Sequence, residues 1–322
     1  MKPDKSRLQQ FLDDAHALPT VPAVAMAVLR MAQNPRVSID KMAKAMEKDP
    51  ALAAKTLRFA NSSYYGLDKP IINLSQALVR IGIRATTVLA LSFSLVEAGK
   101  RAAHRNFDFP AFWQRSLVTS VAARRIAQYS IRDQADNVFV GALLADIGCP
   151  FLCQAHPDRY LAVINRHRMT SDDLAVIESR TFGICHADIS GLLLNRWHMP
   201  ATLVSAVAAH HDLNSLEPDK PEFDMAVVIM AASLMADILI RGAIEQRVAT
   251  LADLFRKYFL FKPSHVNTIV TSVQPEVLSV AKMLEIDVPP LDGLEAQAKA
   301  EMLRVAMNAA TRAPAATEVA AG

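Results

Sequence analysis

Along most of the chain apolar residues recur at three- and four-residue spacing, the period of a helix face. Residues 4–16 read as a short amphipathic helix, and LPTVP at 18–22 enforces an extended stretch, because a residue ahead of proline avoids the α region. Pro22 suits the first turn of the next helix, which carries Val24, Val28, Leu29 and Met31 on to about Gln33. Ser38 is placed to cap a helix over 39–48, and Asp49-Pro50 to cap and open another over 50–61. NSSYYGLDKP (61–70) is a polar turn, Asn73 starts a helix that runs to Ile81, Gly82 breaks it, and 84–98 is apolar on nearly every side. RAAHRNFDFP (101–110) is the first clear composition shift. Beyond it the pattern predicts helices over 110–129, 136–147, 157–167, 172–182, 185–197, 200–211, 222–241, 250–259, 264–285 and 292–312. No stretch alternates as a strand does. The expected fold is therefore all-α, with an N-terminal helical subdomain (1–100), a second one (101–260), C-terminal helices (261–312) and a frayed tail (313–322).

Composition supports helices: 52% of the 322 residues are hydrophobic but only 6% aromatic, and there are only 10 glycines to make turns. The balance of 35 basic against 32 acidic residues is too mild to imply a nucleic-acid partner. Three cysteines, an odd number, fit free thiols in a reducing compartment. The first residues lack the apolar core of a signal peptide, and the longest apolar runs (85–96 and 225–240, the second carrying Asp237) fall short of the ~18 residues a membrane span needs. The expectation is a cytoplasmic protein with no membrane span.

One carboxylate interrupts an otherwise apolar run. FVGALLADIG (139–148) carries Asp146 just before a glycine, where an unpaired charge would be costly. His186, His210 and His211 lie further on, and Arg115 lies one helix upstream.

Seven stretches taken in order resemble the HDOD (HD-related output domain) family. They are LPTVPAVAMAVLRMAQNP, SIDKMAKAMEKDPALAAKTLRFANSSYYG, INLSQALVRIG, WQRSLVTSVAARRIA, FVGALLADIG, HADISGLLLNRWHMP and VAAHHD, and they cover Leu18 to Gly242. The resemblance implies a bacterial, HD-domain-like helical bundle that descends from HD phosphohydrolases and acts in signal transduction through protein partners. In a working HD site, a histidine, a His-Asp pair and a distant aspartate hold a divalent metal that activates water. In this chain the corresponding positions are Arg115, Ala145, Asp146 and, as the best match in MAASLMADI, Ser233, with Asp237 one turn later. Guanidinium cannot ligate a cation and Ala145 has no ligating atom, so ordinary HD hydrolysis is not expected.

Arg115 is expected to pair with Asp146 and replace the lost metal charge. Two alternatives stay open. Asp146, His186, His210 and His211 resemble the additional metal ligands of the HD-GYP branch, which would make a residual metal-dependent phosphohydrolase. Arg115 with the histidines would instead suit the phosphate of a nucleotide, which would make a sensor. The preferred expectation is no cofactor, no catalysis, and a signalling or regulatory protein partner of unknown identity, with Tyr64 and Tyr65 as an interaction surface. Cys149, Cys153 and Cys185 read as core thiols rather than zinc ligands. Residues 38–61 mimic a helix-turn-helix with Lys55 and Arg58 on the second helix, but their apolar faces are needed for packing. Arg80, Arg84, Arg101, Arg105, Arg124 and Arg125 read as solvated faces.

Overall fold

A computed structural model describes residues 23–32, 36–61, 70–83, 107–170, 172–242, 245–259 and 261–284, with a few isolated positions besides. The expected helices at 4–16 and 292–312, most of 84–98, the tail, and Tyr64 and Tyr65 lie outside the described residues. Every described element is helical. Four short helices come first: α1 (Ala23–Ala32), α2 (Ile39–Met46), α3 (Pro50–Ala60) and α4 (Leu74–Ile81). Then follow α5 (Phe109–Ser130), α6 (Ala135–Leu144), α7 (Gly148–Ala155), α8 (Pro157–Met169), α9 (Leu174–Phe182), α10 (His186–Arg196), α11 (Ala201–Ala208), α12 (Pro221–Arg241), α13 (Glu245–Tyr258) and α14 (Pro263–Leu284).

Local chemistry accounts for several helix starts. Asp49 accepts from the amides of Ala51 and Leu52 at 3.1 Å, with Pro50 in the first turn of α3. Asn73 caps α4 through the amide of Gln76, and Asp108 caps α5 through that of Ala111. Ser38 holds the N-cap position of α2, but its hydroxyl makes no capping bond.

Helix α5 is the axis of the second half. It packs on α6, α12 and α14, and buries Leu117, Val118, Val121, Ala122 and Ile126 among them. α14 also reaches α3, and so ties the C-terminal segment to the first helices.

At 21 residues, α12 is longer than the 225–240 run suggested, and by length and composition it could cross a membrane. Its apolar surface is instead spent inside the protein, where 78% of its most apolar window is buried. Arg132–Ala155 passes the same test of length and composition, but it is broken into separate helices.

Helix α7 is absent from the expected elements, although the helix predicted over 136–147 already stops before Gly148. The single helix predicted over 136–147 ends at Leu144, and a further helix, α7, starts at Gly148. Periodicity could not show this, because both segments are apolar nearly all round. The cause is tertiary: a Cβ on residue 148 would collide with the backbone carbonyl of His186, so only glycine lets α7 approach the start of α10. The Gly148 amide donates to Ser190 Oγ at 2.9 Å, and that hydroxyl donates to the His186 carbonyl at 2.8 Å.

Two of the arginines expected on solvated faces are paired instead. Arg124 pairs with Asp136 and Arg125 with Glu276. Lys55 of the helix-turn-helix lookalike is buried, with its ammonium 5.7 Å from the Phe93 ring centroid, where it cannot meet a phosphate backbone.

Candidate functional site

Asp146 lies in the turn between α6 and α7, 5% exposed, and groups from four other elements converge on it. From α5, Arg115 Nη1 donates to Asp146 Oδ2, while its Nε donates to Asp237 Oδ1 on α12 at 3.0 Å. One guanidinium thus bridges two carboxylates. Ser233, the expected α12 position, is one turn away, and its buried Oγ has no hydrogen-bond partner. Asp237 is the α12 residue that reaches the centre. Ala145 is buried in the core and contributes only packing.

The other face of Asp146 is imidazole. His186, the first residue of α10, has Nε2 3.2 Å from Asp146 Oδ1. His210, just past the end of α11, has Nε2 3.6 Å from the same oxygen. His211 Nε2 stands 3.1 Å from His186 Nε2. One ligand atom from each of these four residues lies within 4.8 Å of the other three, so the bundle brings together residues that lie apart in sequence.

Each histidine is oriented through its other nitrogen. His186 Nδ1 meets Glu178 Oε2 at 2.6 Å, His211 Nδ1 meets Asp173 Oδ2 at 3.0 Å, and His210 Nδ1 meets the Val207 carbonyl at 2.7 Å. All three partners are acceptors, so each Nδ1 carries a proton and each Nε2 faces inward. Asp173 has a double task, since its Oδ1 also caps α9 through the amide of Ala175. Glu178 is fully buried and fully used: Oε2 also accepts from the His186 amide at 2.7 Å, and Oε1 from Tyr160 Oη at 2.9 Å.

The electrostatics follow from these contacts. Burial works against an ionised Asp146, but the charge of Arg115, with the nearby imidazoles of His186 and His210, outweighs it and holds the carboxyl well below its usual range. For His186 burial opposes the cation, and Glu178, foremost among its neighbours, outweighs it and lifts the pKa well above that of a free imidazole. His210 goes the other way: burial and the neighbouring His211 push it down to about 4. His186 is therefore favoured as the imidazolium, with Nε2 facing both Asp146 and His211, and His210 as the neutral ring. Asp146 Oδ1 and His210 Nε2 are both buried, and neither makes a well-formed hydrogen bond.

Glu178 was missed by the sequence reading. Its signal was a carboxylate in LAVIESRTF (174–182), beside Ile177 on the face that packs inward. Cys149 is close to His186 and Glu178, but burial raises its thiol pKa, and burial also pushes Cys185 up to about 12. All three cysteines are free and buried.

Arg115, Asp146, His186, His210 and His211 lie on the segments quoted above for their family resemblance, and a comparison with known proteins agrees. The HDOD domain model matches residues 18–213, more than half the chain. An uncharacterised protein of Treponema pallidum (strain Nichols) is 24% identical over 207 residues, which are 64% of this chain and 39% of the relative. The chain thus spans about two fifths of the length of the curated relative it matches. Among solved structures, an HDOD domain protein of unknown function from Geobacter sulfurreducens superposes with a TM-score of 0.68 at 20% identity, covering 86% of this chain and 97% of that one. A provisionally assigned phosphohydrolase of Shewanella amazonensis SB2B gives 0.61 at 20% identity, covering 94% and 98%. A provisionally assigned signal transduction protein of Marinobacter aquaeolei VT8 gives 0.61 at 21% identity, covering 88% and 64%. At these identities the structural likeness speaks for the helical fold, and the sequence match for the lineage: the chain belongs to the HDOD domain family.

Proposed function

We propose that this chain is a regulatory HDOD module that does not hydrolyse phosphate esters and works in the cytoplasm by binding a signalling or regulatory protein. The observation that supports this is the guanidinium of Arg115 seated between Asp146 and Asp237. A side-chain cation stands where two carboxylates converge, and it offsets one of their two charges without offering the open coordination position that metal-assisted hydrolysis needs. Arg115 is also a poor receptor for a phosphate, because both its Nη1 and its Nε are engaged with carboxylates.

The test has two arms. Purified protein supplied with Mn²⁺ or Fe²⁺ is expected to release no product from phosphomonoesters, cyclic dinucleotides or guanosine phosphates. Turnover that disappears in Asp146→Asn would overturn the non-catalytic reading. For the interaction, a partner captured from the native cell is expected to rebind the purified chain in a complex of defined stoichiometry. Failure to reconstitute any such complex would overturn that half.

A second reading, a residual metal-dependent phosphohydrolase, is favoured by the three inward Nε2 atoms. Asp146 Oδ1, His186, His210 and His211 make a donor set suited to a divalent transition metal, with Glu178 and Asp173 orienting two of the imidazoles from behind. The metal would supply Lewis acidity. Arg115 uses the other carboxylate oxygen, so it does not block that set. A stoichiometric transition metal in purified protein, lost on His210→Ala, would support this reading.

A further inference from the structure

Helices α8 and α9 run antiparallel and are pinned to each other at both ends. At the start of α8, Arg159 Nη2 donates to the Thr181 carbonyl at 2.8 Å, and its guanidinium lies 5.0 Å from the Phe182 ring centroid. Beside it, Tyr160 Oη donates to the buried Glu178. At the far end, His167 Nδ1 donates to the Asp172 carbonyl at 2.9 Å, and Arg241 Nη2 of α12 donates to the His167 carbonyl at 2.9 Å. These contacts fix the pair before any partner arrives, which lowers the ordering cost of binding.

The outer face of the pair sets apolar side chains among cations. Seven large apolar side chains are exposed among the described residues, and three of them, Leu161, Met169 and Val176, lie on α8 and α9. Met169, the last residue of α8, is 88% exposed. Leu161 comes eight residues earlier on the same outward side, about 12 Å away along the helix. Arg166 and Arg168, both exposed, flank this strip. Asp172 Oδ2 lies 4.0 Å from Arg166 Nη2 and 3.8 Å from Arg180 Nη1, so the arginines of α8 and α9 gather at one place. Both separations are too long for a hydrogen bond. Of the charges on Arg166, Arg168 and Arg180, Asp172 can offset one. Asp173 is engaged with His211, and Asp158 stands at the opposite end of α8. The Met169 end is therefore apolar and net positive.

We propose that the α8–α9 face docks an acidic amphipathic helix of a partner protein. Leu161 and Met169 pack against the apolar side of that helix, and Arg166, Arg168 and Arg180 meet its carboxylates. This rests on the reading that the chain works through a protein partner, and it names the surface and the partner's chemistry. Exposed guanidinium groups around an apolar strip select a partner of opposite charge with an apolar side of its own. Anchors two helical turns apart match the spacing at which a second helix presents successive apolar residues on one face. A bilayer fits less well, because Leu161 and Val176 are only partly exposed and Met169 alone is little apolar area to insert. None of these side chains belongs to the imidazole cluster, so the proposal stands whether or not a metal binds there.

The experiment is titration of the full chain with a labelled synthetic helix of glutamate, alanine and leucine whose leucines lie on one face, read by fluorescence anisotropy. The peptide is expected to bind one per chain and to weaken as salt rises. A scrambled peptide of the same composition, and one with lysine in place of glutamate, should not bind. Met169→Asp is expected to weaken binding about tenfold or more, and Arg168→Glu about threefold or more. Val79→Asp, at an exposed apolar residue of α4, should leave it unchanged. All three substitutions are at the surface, and an unchanged Tm shows that a loss of binding is not a loss of fold. No binding, equal binding of the scrambled peptide, or binding retained in both Met169→Asp and Arg168→Glu would overturn the proposal. So would vesicles of phosphatidylglycerol that bind through Met169, or a dimer of this chain that Met169→Asp dissociates. A captured partner that rebinds the parent and Met169→Asp equally would remove this surface and leave the protein-partner reading intact.

Discussion

Arg115 and Arg247 are the same side chain in opposite circumstances. Arg115 meets two carboxylates, so its charge is fully paired. Arg247 is more deeply buried, yet its terminal nitrogens meet no acceptor. Removing charge from water is costly in both places, and only the pairing differs. A buried cation thus has no fixed meaning. At the Asp146 centre it is compensated, and at the start of α13 it is an uncompensated cost to the fold.

Substitutions that remove one partner at a time should separate the two cases. The largest effect is expected for Arg115→Met, which strands Asp146 and Asp237 and should lower unfolding free energy by about 3–5 kcal/mol in denaturant titrations near neutral pH. A near-neutral result would mean that the carboxylates are neutralised by something other than Arg115. Gly148→Ala should cost about 3 kcal/mol, because α7 must move off the His186 carbonyl, and it should also shift the imidazole resonances of His186 and His210. A change in stability with those resonances unmoved would show that the α7–α10 approach does not position the site.

Arg247→Met is expected to have the opposite sign, a gain of about 1–2 kcal/mol in the same titrations. A loss there would show that the side chain has a stabilising partner after all, and the contrast with Arg115 would collapse.

The smallest effects are pH-dependent and need metal-free protein. His210 has a folded pKa of about 4, below that of a free imidazole. The folded state therefore binds fewer protons than the unfolded chain between about 6.5 and about 4, and stability falls as pH drops through that window. For Asp146, whose folded pKa is depressed, the contribution is complete above its ordinary carboxylate range and is lost only as pH falls through the lower folded value. His186 has the reverse sign: with its folded pKa raised, its contribution is complete below the free-imidazole range and is lost as pH rises through the folded value. Nitrogen NMR near pH 6 should show His186 doubly protonated and His210 neutral, although their ring centroids are only 5.7 Å apart. Equal titration of the two would remove the distinction between them.

Much of this could be read from the chain. Capping residues such as Asp49 and Asn73 announce their helices locally, and the apolar period places most of the others within a few residues. Asp146 stood out because a carboxylate inside an apolar run needs a partner, and Arg115 was the cation at hand. Which of Ser233 and Asp237 meets Arg115 could not be read from the chain. On one helix face the two are a turn apart, and only the distance to Arg115 distinguishes them. Glu178 was hidden because a charge on an amphipathic helix is ordinarily solvated, and nothing local says that Tyr160 and His186 will surround it.

Sequence alone therefore determined the helical class, most helix positions, the HDOD lineage and the residues with metal-ligating or guanidinium chemistry. These depend on periodicity, caps and side-chain type, which act within a few residues. Tertiary structure decided the rest: the close approach of α7 to α10 at Gly148, the bridge from Arg115 to Asp237, the inward turn of three Nε2 atoms and the unpartnered terminal nitrogens of Arg247. Each depends on the close approach of segments far apart in the chain, where burial and the presence or absence of a partner set the free energy of a charge.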